Sequence, residues 1–167
     1  MNVKDQLLDG LSKKVPDARI FENIRLDSRR GGESADLILL HRTGVYVLLL
    51  LDLDGMLYGS ESTGQWSLKS KEGSVQYLPD PIQKSRKHCD LLSKKARGIG
   101  DYLIPAVIYG ENTWVVDSQV SSPVTFSGPE YFLSKLLLRE QGEDFVSARQ
   151  RDVFAKQLTM LQMLSRK

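Results

Sequence analysis

Cysteine, long apolar runs and excess charge are all scarce in this sequence. Cys89 is the single cysteine among 167 residues, which excludes a disulfide within the chain and favours a reducing compartment. The most apolar run, residues 45–51, is too short to cross a bilayer, and no apolar signal segment follows Met1. These absences predict an intracellular protein, cytoplasmic or nuclear, without a membrane partner.

The charge balance argues against a nucleic-acid partner, and the absence of several motifs argues against common classes of enzyme and metal site. The 23 Lys and Arg residues nearly cancel the 21 Asp and Glu residues, leaving a net charge of +2. Binding to phosphate backbones usually requires a clear basic excess, so the composition does not favour a nucleic-acid partner. The sequence contains no nucleotide-binding loop or Ser/His/Asp order, and His88 has no second His or Cys nearby at ligand spacing.

What the chain does contain is a strand pattern. Residues 45–51 are apolar without alternation and are closed by Asp52, Asp54 and Gly55, which predicts a strand buried on both faces. An upstream strand over residues 33–41 carries Asp36 near its start. The alternation of strands and helices predicts an α/β fold, with a mixed central sheet and helices on both faces. The length fits one domain, residues 1–167.

The other segments predict the elements around this sheet. Residues 18–26 read as a strand with Phe21 on the face opposite Ile24, and residues 56–58 and 65–68 as a hairpin that extends the sheet through the turn 61–64. Asp80 and Pro81 begin a helix that runs to about Arg97. The expected inner stripe of that helix is Ile82, Cys89, Leu92 and Ala96.

Two features are expected in the C-terminal half. Pro105 argues that the buried strand 102–109 lies near a sheet edge or starts there. C-terminal helices are expected over about 128–166, and the last, about 144–164, has an apolar stripe that either covers the sheet or faces a partner. The stripe contains Val146, Val153, Phe154, Leu158, Leu161 and Leu164.

A set of spaced residues resembles the nuclease-related (NERD) domain family over roughly residues 17–110. Such domains typically read Glu-Ile-Asp, Gly, an apolar strand ending Glu-x-Lys, Gly-x-x-Tyr-Gly, Trp and Asn-Pro-x-x-Gln. The matching positions are Asp36, Gly44, Gly55 to Gly59, Trp66, Pro81 and Gln83. The resemblance implies the restriction-endonuclease-like core of the PD-(D/E)xK nucleases.

The same register places leucine at two catalytic positions. The family's Glu falls on Leu49 and its Lys on Leu51, so that Asp36 alone remains of the three. In these nucleases the acids hold a divalent metal and the lysine stabilises charge near the attacking water. The vestigial positions, Asp36, Leu49, Leu51, Gln83 and Lys87, therefore predict no catalytic residues, no metal and no cofactor.

Two alternatives stay open. The first is a Mg²⁺-dependent nuclease whose site residues have migrated. Asp52 and Asp54 have the wrong strand parity to replace Leu49, but Lys87, four residues after Gln83 on a helix, could replace the lost lysine. The second is a DNA- or RNA-binding domain that does not cleave and whose phosphate contacts are Arg29, Arg30, Lys84 and Lys87. The favoured hypothesis is an inactive nuclease-like domain that serves as a protein-interaction or scaffolding module.

Overall fold

The computed structural model describes residues 2–27, 29, 32–60, 65–119 and 125–166, with the backbone alone at residues 60, 117–119, 125 and 126. These ranges contain four α-helices and nine strands. The helices are α1 (Val3–Lys14), α2 (Pro81–Lys95), α3 (Pro129–Arg139) and α4 (Ala148–Ser165). The strands are β1 (Arg19–Arg25), β2 (Ser34–His41), β3 (Gly44–Leu51), β4 (Gly55–Ser60), β5 (Gln65–Lys69), β6 (Val75–Pro79), β7 (Leu103–Tyr109), β8 (Thr113–Gln119) and β9 (Thr125–Ser127).

The first sheet has the order β1-β2-β3-β7-β9, with the apolar strand β3 at its centre. β2 pairs antiparallel with β1 and β3, whereas β7 runs parallel to β3 and β9. Helices α2 and α4 pack on one face of this sheet, and α1 and α3 pack on the other. The α/β fold class, the central position of residues 45–51 and the helices on both faces are therefore confirmed.

A second sheet was not predicted. Its order is β6-β5-β4-β8, so the β4–β5 hairpin forms a separate sheet and does not extend the first one. β6, a largely exposed strand after the turn at Gly73, was missed. The predicted turn 61–64 lies outside the described residues.

Of two predictions about strand environment, the one for Phe21 was wrong, whereas the one for Pro105 is confirmed, since β7 lies next to the edge strand β9. Phe21 and Ile24 pack into the same core cluster, because Asn23 between them adopts a left-handed conformation with φ of 53° and interrupts the alternation. Pro105 lies in an interior strand beside Val47. Pairing of β7 with β9 begins only at Ala106, so the missing amide hydrogen of Pro105 interrupts no bond on that side.

The helices differ from prediction in their ends and inner faces. Asp80 caps α2 as expected, but His88, which is 1 % exposed, lies on the inner face, and Cys89 is only half-buried. The last helix begins at Ala148, capped by Ser147, and exposes Val153 and Leu164 of its predicted stripe. No helix in the described ranges is both long enough and apolar enough to span a membrane.

Candidate functional site

The region expected to hold the nuclease chemistry is a corner between the two sheets. β3 continues into β4, and its parallel neighbour β7 continues into β8, so that two adjacent strands pass from the first sheet to the second. Backbone bonds span this junction, from Gly110 N to Leu51 O at 3.1 Å and from Gly55 N to Asn112 O at 3.0 Å. α2 begins against the inner side of the corner, where Ile82 packs.

Leu49 and Leu51 both point into this corner. Leu49 is buried and Leu51 is half-buried, and they belong to one apolar cluster that joins the two sheets to α2. Leu50 packs on the opposite face, against α1 and α3. The other members of the corner cluster are Leu53, Leu57, Trp66, Leu68, Leu78, Ile82, Val107 and Val115.

The motif residues of the second sheet shape the same corner. The indole of Trp66 is 1 % exposed, and a Cβ atom added to Gly59 would lie only 2.0 Å from it. Gly55 has φ of 134°, and a Cβ there would lie 2.4 Å from Lys69 O. Gly55, Gly59 and Trp66 thus serve the close packing of the second sheet.

Asp36 lies at the edge of the corner, and one of its carboxylate oxygens accepts a backbone hydrogen bond. Its Oδ2 accepts a 2.9 Å hydrogen bond from the backbone N–H of Leu50, just beyond the end of the β2–β3 ladder at Leu37 and Leu48. Among the described residues, Asp36 belongs to no group of three or more potential metal ligands. The contact fixes the end of β3 by a carboxylate-to-amide bond.

Asp52 has a definite structural role at the junction. Its Oδ1 accepts a 3.0 Å hydrogen bond from the N–H of Val3, the first residue of α1. A carboxylate at a helix N-terminus satisfies a free amide and complements the helix dipole. The sequence reading of Asp52 as a turn residue missed this contact, because the helix that it caps is 49 positions away.

Glu33 is a site residue that sequence reasoning missed. It precedes β2, and its Oε2 lies 2.8 Å from His88 Nε2, within hydrogen-bond distance. Lys87 Nζ lies 3.8 Å from the other carboxylate oxygen, Oε1. The hydrogen bond from His88, the charge of His88 and the nearby Lys84 and Lys87 lower the pKa of Glu33, against the effect of its burial. The described contacts of Lys87 therefore lead to Glu33, and none leads to Asp36.

The remaining predicted contact residues are dispersed. Gln83 and Lys84 are exposed in the first turns of α2, where the Gln83 amide takes part in the cap from Asp80. Arg29 is exposed in the loop before β2, and its amide bonds to Asp27 Oδ1 at 2.9 Å. Arg30 lies outside the described residues.

The corner does not suit the divalent metal that the nuclease class uses. Mg²⁺ and Mn²⁺ prefer several hard oxygen ligands. At the two positions where the resemblance places the second acid and the lysine, the chain has alkyl side chains, and one carboxylate oxygen of Asp36 is hydrogen-bonded to the Leu50 amide. No catalytic step through a metal follows from this arrangement.

A different feature of the second sheet also escaped the sequence reading. Directly paired residues share a face, and on the face turned away from the corner these include Met56 with Trp114, and Tyr58 with Tyr77 across Ser67. Trp114 is 71 % exposed and Tyr77 67 %. We call this surface the outer face; it comprises Met56, Tyr58, Val75, Tyr77 and Trp114. The register of four strands creates it, so no single segment shows it.

Comparison of the sequence with known proteins gives a match to a protein family. The sequence profile described as the nuclease-related domain matches residues 2–119, more than half of the chain. No curated protein and no solved structure matches the chain. The match covers the two sheets up to β8, including the corner with Leu49 and Leu51. The chain therefore belongs to the nuclease-related domain family.

Proposed function

We propose that this domain does not cleave nucleic acid and acts by binding another protein. The pair of leucines in the corner is the observation that supports the absence of cleavage. A working site needs a metal beside the scissile phosphate, together with a group that stabilises charge near the attacking water. Leu49 and Leu51 offer neither oxygen nor cation, and they pack against Trp66 and Ile82.

The free energy of burial at the corner supports the proposal that this domain does not cleave nucleic acid. Full burial of a leucine contributes roughly 1.5–3 kcal/mol relative to exposure. A nuclease must instead keep charged side chains in a half-buried site, which costs free energy unless metal or substrate compensates. With leucines at these positions the corner stabilises the junction of the two sheets and has no need of a cofactor.

The outer face of the second sheet supports the second half of the proposal. Exposed tryptophan, tyrosine and methionine are enriched in protein interfaces, and a contiguous exposed apolar surface usually marks an interaction site. Both signs of charge surround this face, since Lys69, Lys71 and Glu72 lie beside Met56 and Trp114 in one shallow groove. A mixed rim around an apolar centre suits a protein partner better than a polyphosphate.

Nucleic-acid binding without cleavage is a second candidate, because one observation favours it. The solvent side of α2 carries a row of exposed cations: Lys84, Arg86, Lys87, Lys94 and Lys95. Glu33 neutralises part of this row through its contact with Lys87. The low net charge of +2 is the reason for ranking this function second.

The proposal includes an intracellular location, either cytoplasmic or nuclear. The single cysteine supports a reducing compartment, since the thiol needs no disulfide partner there.

The cleavage half is tested by incubating the purified protein with single- and double-stranded DNA and RNA in Mg²⁺ or Mn²⁺. We expect no products above those of Asp36→Ala. Cleavage that disappears in Asp36→Ala would overturn the proposal. Loss of that cleavage also in Glu33→Gln, but not in Asp101→Asn, would identify Glu33 as the relocated acid. Salt-sensitive retardation of the nucleic acid without cleavage would favour the second candidate.

The binding half is tested by comparing proteins captured by the wild type with those captured by a Tyr77→Ser/Trp114→Ser variant. Met163→Ser is the matched control, since Met163 is 62 % exposed on α4, away from the outer face. We expect at least one partner to be lost from the double variant and retained by the control, and then reproduced with purified components. Identical captures by all three proteins would contradict a role for the outer face.

A further inference from the structure

A buried histidine lies at the opposite end of the β2–β3 pair from the corner. His41 is the last residue of β2, opposite Gly44 in the tight hairpin, and its side chain is fully inaccessible to solvent. Two acids from other segments approach it: Asp17, from the turn between α1 and β1, and Glu140, from the end of α3. Three segments distant in sequence therefore converge on one imidazole nitrogen.

The distances resemble those between ligands of a common ion. His41 Nε2 lies 3.0 Å from Glu140 Oε1 and 3.4 Å from Asp17 Oδ2. All three potential ligand atoms lie within 4.8 Å of one another. Ligands about 2.1 Å from a tetrahedral Zn²⁺ are roughly 3.4 Å apart, so both distances to the imidazole nitrogen lie near the separation expected around a shared metal.

The imidazole nitrogen that points into this cluster is otherwise unused. Within the described part of the chain, His41 Nε2 makes no hydrogen bond of acceptable geometry, although it is buried. Buried polar atoms without a hydrogen bond are rare in folded proteins and call for an explanation. A metal ion between Nε2 and the two carboxylates would provide one.

The other imidazole nitrogen is held as metal-binding histidines usually are. Nδ1 lies 2.9 Å from Thr43 Oγ1, which in turn lies 2.8 Å from Tyr46 OH. Arg139 donates to the same phenol oxygen at 3.2 Å. When Nδ1–H donates to Thr43, the lone pair of Nε2 is free for a metal, and the ring orientation is fixed. The backbone N–H of Thr43 also donates to Nδ1 at 3.3 Å, which is the contact of the opposite tautomer and is given up when Nδ1 carries the proton and Nε2 binds a metal.

Glu140 is fixed through its backbone. The guanidinium of Arg42 donates to Glu140 O and, at 3.3 Å, to Gly142 O, and it pairs with Asp144 at 3.2 Å. The carbonyl of Arg42 accepts the amides of Phe145 and Val146, both at 2.9 Å. The segment after α3 is therefore tied to the β2–β3 hairpin, which keeps Glu140 beside His41.

We propose that His41 Nε2, Asp17 and Glu140 bind Zn²⁺, or a divalent ion of similar ligand preference, with a fourth position open to water. One imidazole with two carboxylates suits Zn²⁺ better than Mg²⁺, which is bound mainly by oxygen. Asp17 has 62 % of its side chain exposed, which gives the ion a route from solvent and room for a water ligand. The sequence reading predicted no metal from Leu49 and Leu51 and from the absence of a second His or Cys near His88, and it did not connect His41 with Asp17 and Glu140.

The competing explanation is a simple ion pair between His41 and its two acids. The Glu33–His88 contact is such a pair elsewhere in the same protein, at 2.8 Å and with one carboxylate only. It supplies a matched control, because Glu33→Gln removes a carboxylate from a buried histidine without touching Asp17 or Glu140.

The test uses the full chain, stripped with a chelator and then titrated with Zn²⁺, Co²⁺ and Mg²⁺ by calorimetry and thermal unfolding. We expect Zn²⁺ to bind with one site per chain and to raise the unfolding temperature. Asp17→Asn and Glu140→Gln should each weaken Zn²⁺ binding by on the order of tenfold or more, whereas Glu33→Gln should leave it unchanged. Mg²⁺ should produce no comparable shift.

Visible absorption of the Co²⁺ form adds a readout of coordination. Wild type should show the strong ligand-field bands of a tetrahedral site, and Asp17→Asn should lose them; circular dichroism checks that this exposed substitution leaves the fold intact. Absence of Zn²⁺ binding, equal binding by wild type and Asp17→Asn, or equal loss in Glu33→Gln would each overturn the proposal.

Discussion

The two ends of the β2–β3 pair differ in chemistry although the same two strands build both. At the corner, Leu49 and Leu51 fill the space between two sheets with alkyl groups. At the hairpin, His41, Thr43 and Tyr46 are equally buried but are linked by polar contacts. Alkyl groups at the corner stabilise the junction of the sheets by burial alone and need no polar partners.

The polar groups at the hairpin end stabilise the fold only through their hydrogen bonds. Buried polar groups remain favourable only while each has a partner, so the residues there depend on one another. Burial lowers the pKa of His41, and this outweighs the opposite effect of Asp17 and Glu140. Substitutions at the two ends should therefore act through different physics: charge in an apolar space at the corner, and lost hydrogen bonds at the hairpin.

The largest effect is expected from restoring the family's residues at the corner. The Leu49→Glu/Leu51→Lys variant loses roughly 1.5–3 kcal/mol of apolar burial at the buried Leu49 and less at the half-buried Leu51. It also places charges in an apolar cluster. Urea unfolding should show a loss of several kcal/mol. The matched control, Leu138→Glu/Leu164→Lys, makes the same changes at side chains that are 66 % and 56 % exposed. Equal unfolding free energies for the two variants would mean that water already enters the corner.

A smaller effect is expected at the hairpin from Thr43→Val, which keeps the shape and removes the hydroxyl. His41 Nδ1 and Tyr46 OH both lose their contact with Thr43 Oγ1, so the free energy of unfolding should fall by about 1–3 kcal/mol. Thr159→Val, at an exposed helical position where the hydroxyl donates back to Ala155 O of the same helix at 2.7 Å, should change it by about 0.5 kcal/mol or less, since that carbonyl keeps its place in the helix. If both variants are equally stable in urea, the hairpin contacts do not contribute to stability.

The Glu33–His88 pair should give a pH-dependent effect. The pKa of Glu33 is lowered from its ordinary value of 4.5, so the folded state binds fewer protons than the unfolded state in this range. Stability from this group is therefore fully present above about pH 5 and is lost as the pH falls through the lowered pKa. The unfolding free energy of Glu33→Gln should fall less steeply with acidification. Parallel curves for wild type and variant would show that Glu33 does not contribute.

The smallest effect is an absence of reactivity at Cys89, next to His88 on α2. Burial, and then the charge of Asp90, raise the pKa of the thiol to about 12. Since the thiolate is the reactive form, iodoacetamide should label the folded protein slowly at about pH 8. The unfolded protein in urea should be labelled fast. Fast labelling of the folded protein would mean that α2 opens readily at this position.

The sequence predicted those parts of the fold that depend on local pattern. The apolar run of β3 and the Asp80–Pro81 start of α2 each carry their signal within a few residues. The parity argument placed Leu49 and Leu51 on one face because β3 is a regular strand. The membership of β4 and β5 in a second sheet was missed, since the choice of sheet depends on pairing with β8, far along the chain.

The contacts of the candidate sites were harder to predict for the same reason. Glu33 and His88 are 55 positions apart, and Glu140 lies almost a hundred positions beyond His41. One signal was available: His88 lies four residues before Leu92 and so shares its face of α2, which had to face the core and required a polar partner for the imidazole. The identity of that partner needed the three-dimensional fold.

The passage of two neighbouring strands from one sheet into the other has a consequence for folding order. β1, β2 and β3 form consecutive antiparallel hairpins, as do β4, β5 and β6, so each set closes short loops and can form early. The parallel pairs β3–β7 and β4–β8 require closure of a long loop that contains α2. Because β7 and β8 are nearly continuous, a single late closure adds β7 to the first sheet and β8 to the second, after which β9 completes the first sheet. We expect this closure to set the pace at which the protein reaches its native state.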